Sequence, residues 1–251
     1  MAVTDAAATP PGPYVRRPQG VGPSRWALPD PALTDAEGLV GLGGDLAAET
    51  LVDAYRRGIF PWPHPGMPLP WFSPDPRAVL RPGAVHVSRS LRQRLGRCGW
   101  TTTVDAAFEE VVAACAARPR REGTWINRHM RQAYARLHRL GWAHSLEVWE
   151  GGVLVGGLYG VRVGACFTGE SMFHRATDAS KVALLDWCER WGAAGGVLID
   201  VQLPTDHLAS MGAVAMARAD FLAELAQLRD RVVSVANGQR PVTGALAGRA
   251  R

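Results

Sequence analysis

The chain has 251 residues, 47% hydrophobic and 20% charged, enough to bury one large core or two modest ones. No apolar run reaches the ~18 to 20 residues of a membrane span, and the Ala-, Pro- and Gly-rich start lacks the basic-then-apolar pattern of a secretory signal, so a cytoplasmic protein is expected. The net charge of +5 is carried almost wholly by arginine, Lys181 being the only lysine, which suits a polyanion partner and equally a GC-rich genome. Cys98, Cys115, Cys166 and Cys188 are too scattered for a structural metal site or a disulfide scaffold and read as small buried residues.

In chain order, residues 1–24 show no helical or strand period and read as a flexible tail, as do residues 235–251. A small N-terminal α+β module is expected over 25–76 and a larger domain over 77–234. The glycine-dense stretch Gly38 to Asp45 lacks the Lys-Ser/Thr ending of a phosphate loop and reads as turns before a helix over Glu49–Arg57, which Gly58 ends. The proline-rich loop that follows holds Trp62, Trp71 and Phe72. They serve either to pack a connection or as a platform on which a base stacks, and residue type leaves both open.

Ser88 to Arg97 reads as a helix with Ser88 at its N-cap and a basic face of Arg89, Arg92, Arg94 and Arg97. That face is either solvated or set against phosphates, in which case binding would be strongly salt-dependent. Arg118, Arg120 and Arg121 form a second basic loop. Thr101–Val104 is a strand, and Asp105 reads as the N-cap of a helix with Phe108, Val111, Val112 and Cys115 inward. A further helix over Asn127–Leu140 turns Met130, Tyr134 and Leu137 inward. The seven histidines form no ligand pattern, and His144 and His174 read as structural.

A hairpin follows, His144–Glu150 and Val153–Val161 joined by Gly151-Gly152, then a strand Ala165–Glu170. A helix over Ala179–Ala194 with Val182, Leu184, Leu185, Cys188 and Trp191 apolar leads to a buried strand Val197–Gln202. C-terminal helices are expected at Thr205–Ser210 and Arg218–Val233. This β-hairpin–β–α–β order is that of a GNAT-like (acyl-CoA N-acyltransferase-like) half, an α/β fold. Glu170, Asp200 and Gln202 stand at strand ends, where α/β ligand sites gather. Two-residue alternation puts Asp200 and Gln202 on one face and Ile199 on the other. A coenzyme A site needs a glycine-rich turn before the long helix; here Arg175 to Ser180 has no glycine, and Asp178 would repel a pyrophosphate.

Eight blocks together resemble the leucyl/phenylalanyl-tRNA–protein transferases: GLGGDL from Gly41, YRRGIFPW from Tyr55, WFSPDPRAVL from Trp71, GTWI from Gly123, GGLYG from Gly156, GESMF from Gly169, DASK from Asp178 and IDVQ from Ile199. The resemblance spans about Trp26 to Leu225. It implies a GNAT-like aminoacyltransferase that moves Leu or Phe, and less well Met, from aminoacyl-tRNA to proteins with N-terminal Arg or Lys. It further implies a place in N-degron protein degradation; no cofactor or metal is expected, and a monomer is. The resemblance makes Asp200 and Gln202 catalytic, with Asp200 polarising the Gln202 amide whose oxygen receives the attacking amine. Whether carboxylate, glutamine or ribose takes the proton stays open. Glu170 would meet a cationic group, Trp62 would line the aminoacyl-nucleoside pocket, and Phe167, Leu158, Leu184 and Ile199 would hold the Leu or Phe side chain. The helix of Arg89, Arg92, Arg94 and Arg97 would contact tRNA. Val201, Leu158 and His174 depart from the usual Cys, Met and Ser, and Leu158 bears on donor preference.

Overall fold

The computed structural model describes residues 14–117 and 124–248. The glycine-dense stretch makes strand β1 (Leu39–Leu42) and a turn into helix α1 (Ala48–Arg56). Asp45 ties that turn together, accepting from the Ala47 N–H, the Thr50 hydroxyl and the Trp26 indole N–H. Strands β2 (Phe60–Pro61) and β3 (Pro70–Phe72) join β1 in a three-stranded antiparallel sheet, order β1-β3-β2.

The main sheet starts with β4 (Arg77–Leu80). Helix α2 (Arg89–Leu95) follows, its Ser88 hydroxyl accepting from the Leu91 N–H, and then β5 (Thr101–Val104). Helix α3 (Phe108–Ala116) precedes α4 (Arg128–Arg139), which Asn127 caps through the Met130 N–H. Strands β6 (Ala143–Glu150) and β7 (Val153–Val163) form a hairpin. Gly151 and Gly152 both take positive φ there, +56° and +83°, as a two-residue turn matched to strand twist requires. Strand β8 (Cys166–His174), helix α5 (Ala179–Ala193) and strand β9 (Leu198–Gln202) make the one parallel connection among the described residues. Helix α6 (Asp206–Ser210), strand β10 (Val214–Met216), helix α7 (Arg218–Leu228), strand β11 (Arg240–Pro241) and helix α8 (Ala245–Gly248) complete the chain.

The resulting mixed sheet has eight strands in the order β10-β4-β9-β8-β7-β6-β5-β11. Helix α5 covers one face, with Trp187 and Trp191 stacked at 5.8 Å and Phe167 4.3 Å from Trp187. Helices α3 and α4 cover the other, where Phe108 and Tyr134 meet the ring of Tyr159. Among the described residues no helix is long and apolar enough to cross a membrane.

Several expectations change. The tail expected over 235–251 is packed as far as it is described: Val235, Val242 and Leu246 are buried, and β11 pairs with β5. The Arg190 guanidinium donates to the carbonyls of Ala236 and Gly238. Residues 14–24 are likewise anchored, Val15 bonding Val235 and the Trp142 indole bonding the Gln19 carbonyl. Residues 1–13 lie outside the described residues. Composition counts only what a segment can bury by itself, whereas these segments lie on surface supplied from elsewhere. Strand β8 continues four residues past Glu170, and the last long helix ends at Leu228 rather than Val233. Asp105 is not the cap of α3: Ala107 holds that position, while Asp105 (φ +62°) turns its carboxylate to His144 and the Ser145 N–H. The basic loop of Arg118, Arg120 and Arg121 is outside the described residues.

Candidate active site

Strands β8 and β9 run parallel through the pairs Cys166–Leu198, Phe167–Ile199 and Thr168–Asp200, and then part. Each carries a bulge just beyond. On β8, Gly160 of β7 pairs with Gly169 and Tyr159 with Ser171, leaving Glu170 as the extra residue. On β9, Val79 pairs with Asp200 and Ala78 with Gln202, leaving Val201 extra, and Gln202 takes φ +66°. A bulge resets the alternation of side chains and re-aims them. Glu170 and Gln202 therefore face each other across the gap, the Gln202 amide donating to Glu170 Oε1 at 3.1 Å.

The bulge also corrects the expectation that Asp200 and Gln202 share a face. Asp200 is fully buried, and its carboxylate takes two bonds from Arg77, Nε at 2.7 Å and Nη2 at 2.6 Å. It accepts besides from the Thr168 hydroxyl and from the backbone N–H of Gln202 at 2.9 Å. Asp200 thus holds the main chain of Gln202, and Glu170 holds its side-chain amide. Arg77 is itself clamped between the rings of Phe60 and Phe221, 4.8 and 4.6 Å from its guanidinium carbon, and bonds the Gly58 carbonyl. Buried charges persist when paired and hydrogen-bonded in this way.

Among the described residues, Glu170 has no cation as a hydrogen-bond partner. Tyr55 of α1 and Tyr134 of α4 reach its two carboxylate oxygens at 2.7 Å each and lie 2.8 Å apart. Burial pushes its carboxyl up to about 7, against the two phenol hydrogen bonds. Both phenols are held far above their usual range by burial and by Glu170.

Two cavities meet at this seam. One, about 250 Å³, is lined by Leu158, Phe167, Leu184, Trp187, Ile199 and Met172, with Glu170 and Gln202 on its wall. The other, about 230 Å³, is lined by Phe60, Trp62 and Trp125, again with Glu170 and Gln202. Gly160 sets the shape of the first, because a Cβ there would fall 2.6 Å from the Phe167 ring and 2.2 Å from the Thr168 carbonyl. An apolar hole and an aromatic slot joined by a polar seam suit a molecule that carries an apolar side chain next to a nucleoside.

The model of the family described as leucyl/phenylalanyl-tRNA protein transferase matches residues 79–226, and that of its N-terminal domain residues 44–75. The chain belongs to this family. A leucyl/phenylalanyl-tRNA–protein transferase of Yersinia pestis (strain Pestoides F) is 54% identical over 201 residues, covering 80% of this chain and 85% of that protein. One of Yersinia pseudotuberculosis serotype O:1b (strain IP 31758) aligns with the same figures. Among solved structures, L-PGS from Bacillus licheniformis aligns over 61% of this chain and 51% of its own at 11% identity, with a TM-score of 0.37, too slight a likeness to argue from.

Within this member of the family, Glu170, Gln202, Trp62, Phe167, Leu158, Leu184 and Ile199 all line the two cavities, whereas Asp200 lies behind them. Arg89, Arg92, Arg94 and Arg97 are exposed on and just after α2, with Arg94 3.8 Å from Asp178 at the start of α5. Sequence reasoning missed Arg77, Tyr55, Tyr134 and Trp125. All but Tyr134 stand inside the motif blocks, so the blocks were the available signal, and Tyr134 was read only as a core residue. His138, His144 and Asp105 gather with ligand atoms within 4.8 Å of one another, a group the scattered histidines did not suggest. Asp105 accepts from His144, and His138 Nδ1 donates to the Ala143 carbonyl, so the group is read as a hydrogen-bonded brace.

Proposed function

We propose that the protein transfers Leu or Phe, and Met less readily, from aminoacyl-tRNA to the α-amino group of proteins that begin with Arg or Lys, acting as a cytoplasmic monomer and marking them for N-degron degradation. The observation that carries this reading is the junction of the apolar and the aromatic cavity at Glu170 and Gln202. The donor's side chain occupies the hole formed by Leu158, Phe167, Leu184 and Ile199, and its terminal adenosine stacks in the slot with Trp62 and Trp125. The ester lies at the seam. A GNAT-like core is the matching fold reading, supported by one parallel strand pair that splays open within an otherwise antiparallel sheet.

The reaction is aminolysis. The acceptor nitrogen attacks the ester carbonyl, the new C–N bond forms, the C–O bond to the ribose breaks, and the amine's proton ends on the ribose oxygen. Because the Gln202 nitrogen is engaged by Glu170, its amide oxygen is the atom left to accept the attacking amine's hydrogen. Asp200 serves by fixing the Gln202 backbone in its left-handed conformation. Glu170 receives the acceptor's basic side chain, and the arginines of α2 take tRNA phosphates.

The test is transfer of labelled Leu or Phe from charged tRNA to a peptide beginning with Arg, with Gln202→Ala beside wild type and Ile-charged tRNA as the specificity control. Transfer by wild type that fails in Gln202→Ala at unchanged tRNA binding is expected. Tight tRNA binding without transfer sinks the enzyme reading.

A further inference from the structure

Three oxygen–oxygen contacts close a ring around Glu170: Tyr55 Oη to Oε1 at 2.7 Å, Tyr134 Oη to Oε2 at 2.7 Å, and the two phenol oxygens to each other at 2.8 Å. Contacts of that length are hydrogen bonds and each needs one proton. Two phenols bring only two. With Glu170 ionised, both phenols donate to the carboxylate, and their own oxygens face each other with lone pairs alone, buried. With Glu170 protonated the count closes: the carboxyl donates to one phenol, that phenol to the other, and the second back to the free carboxyl oxygen. Gln202 then adds its N–H to Oε1 in either state.

We infer that Glu170 is the neutral acid in the free protein, positioned by the hydrogen-bonded ring it closes with Tyr55 and Tyr134, and that a cationic acceptor side chain is captured with release of that proton. This rests on the reading above, in which Glu170 meets the acceptor's Arg or Lys. The step balances: a carboxylic acid and a guanidinium or ammonium give a carboxylate ion pair and one proton to the solvent.

The groups facing Glu170 agree with this. Burial pushes the carboxyl up to about 7, and the charge of Asp200 works the same way. On β9 and β4, Asp200 and Arg77 already neutralise each other. On β7, Tyr159 presents another phenol, its ring 5.3 Å from that of Tyr134, and on α6 His207 lines the same apolar cavity. A neutral carboxyl gives a neutral N-terminal side chain nothing to compensate, whereas a cation draws out the proton and gains a buried partner. Acceptor affinity should therefore fall about tenfold per pH unit below the Glu170 midpoint and level off above it.

Infrared difference spectra between about pH 6 and about pH 8.5, on the full chain without tRNA, test this directly. A protonated-carboxyl carbonyl band that vanishes across neutral pH is expected, and it should be missing from Glu170→Gln. Glu147→Gln is the control, since burial pushes that carboxyl up to about 7 as well. Tyr55→Phe and Tyr134→Phe should each move the band's midpoint upward, because each removes a donor to the charged form, while a merely structural role would leave it in place. Calorimetry near pH 6 with an Arg-initiated peptide, in two buffers of different ionisation enthalpy, should show proton release that Glu170→Gln abolishes. No Glu170 band at acid pH, or binding without proton release, overturns the inference. Both signals present without any aminoacyl transfer would overturn the enzyme reading and leave the ring standing.

Discussion

Asp200 and Glu170 are both buried carboxylates that hold Gln202, and the fold treats them in opposite ways. Asp200 has a full countercharge, Arg77, bonded twice and wedged between two aromatic rings. Glu170 has two phenols and an amide, all neutral. The first arrangement pairs the carboxylate with a cation, away from the lining of both cavities. The second makes a charge that comes and goes, on the side that opens into both cavities. The ion-paired and the cavity-lining acid are thus two residues that the sequence sets only at the ends of neighbouring strands.

The strongest way to break this comparison is Asp200→Ala. It leaves the Arg77 charge buried without its partner and should cost about 3–5 kcal/mol of stability, read by urea unfolding. Adding Arg77→Met should recover part of that loss, because the uncompensated charge goes too. Lost transfer in Asp200→Ala would then report on folding rather than on proton transfer.

Glu147 sharpens the other half. It is buried like Glu170, among the hydroxyls of Ser145 and Thr103, but lines neither of the two cavities. Burial raises its carboxyl from 4.5 to about 7. A raised folded value means that its stabilisation of the fold is complete below the unfolded value and is lost as pH rises through about 7. The full loss is about 3 kcal/mol. Thermal unfolding of wild type should weaken over that window, and Glu147→Gln should flatten the slope. A wild-type curve without that slope would place the Glu147 charge outside the fold's energetics.

Gln202→Ala should leave the fold intact and lower kcat about 100-fold, near 2.7 kcal/mol, with little change in donor binding. An unchanged kcat would move the amine's contact elsewhere. The smallest expected effect is Leu158→Met, which conserves volume in the apolar cavity. It should cost under about 1.5 kcal/mol of stability and shift the ratio of Leu to Phe transfer by about 1 kcal/mol, measured as competing kcat/KM values.

Much of the architecture was legible because it is local. The hairpin of β6 and β7, the paired glycines between them, the cap Ser88 and the apolar positions of α5 are read within a turn or a strand of themselves. The apolar pocket was legible in part for the same reason: Phe167 and Ile199 sit at equivalent positions of a parallel pair, and both reach the face covered by α5. Where alternation was interrupted, the reading failed. Nothing in the letters Ile199-Asp200-Val201-Gln202 announces a bulge, since a bulge is a mismatch between two strands and the partner, β4, lies more than a hundred residues earlier.

The sequence by itself determined the family, the order of strands and helices from β5 to β9, and the apolar residues that line one cavity. Only the tertiary structure decided which acid is paired with a cation and which with two phenols. That choice depends on what each carboxylate meets after folding: Arg77 from 123 residues away for Asp200, Tyr55 and Tyr134 from 115 and 36 residues away for Glu170. Burial sets the cost of the charge, and the partner brought across that distance decides whether the cost is met by a cation or avoided by keeping a proton.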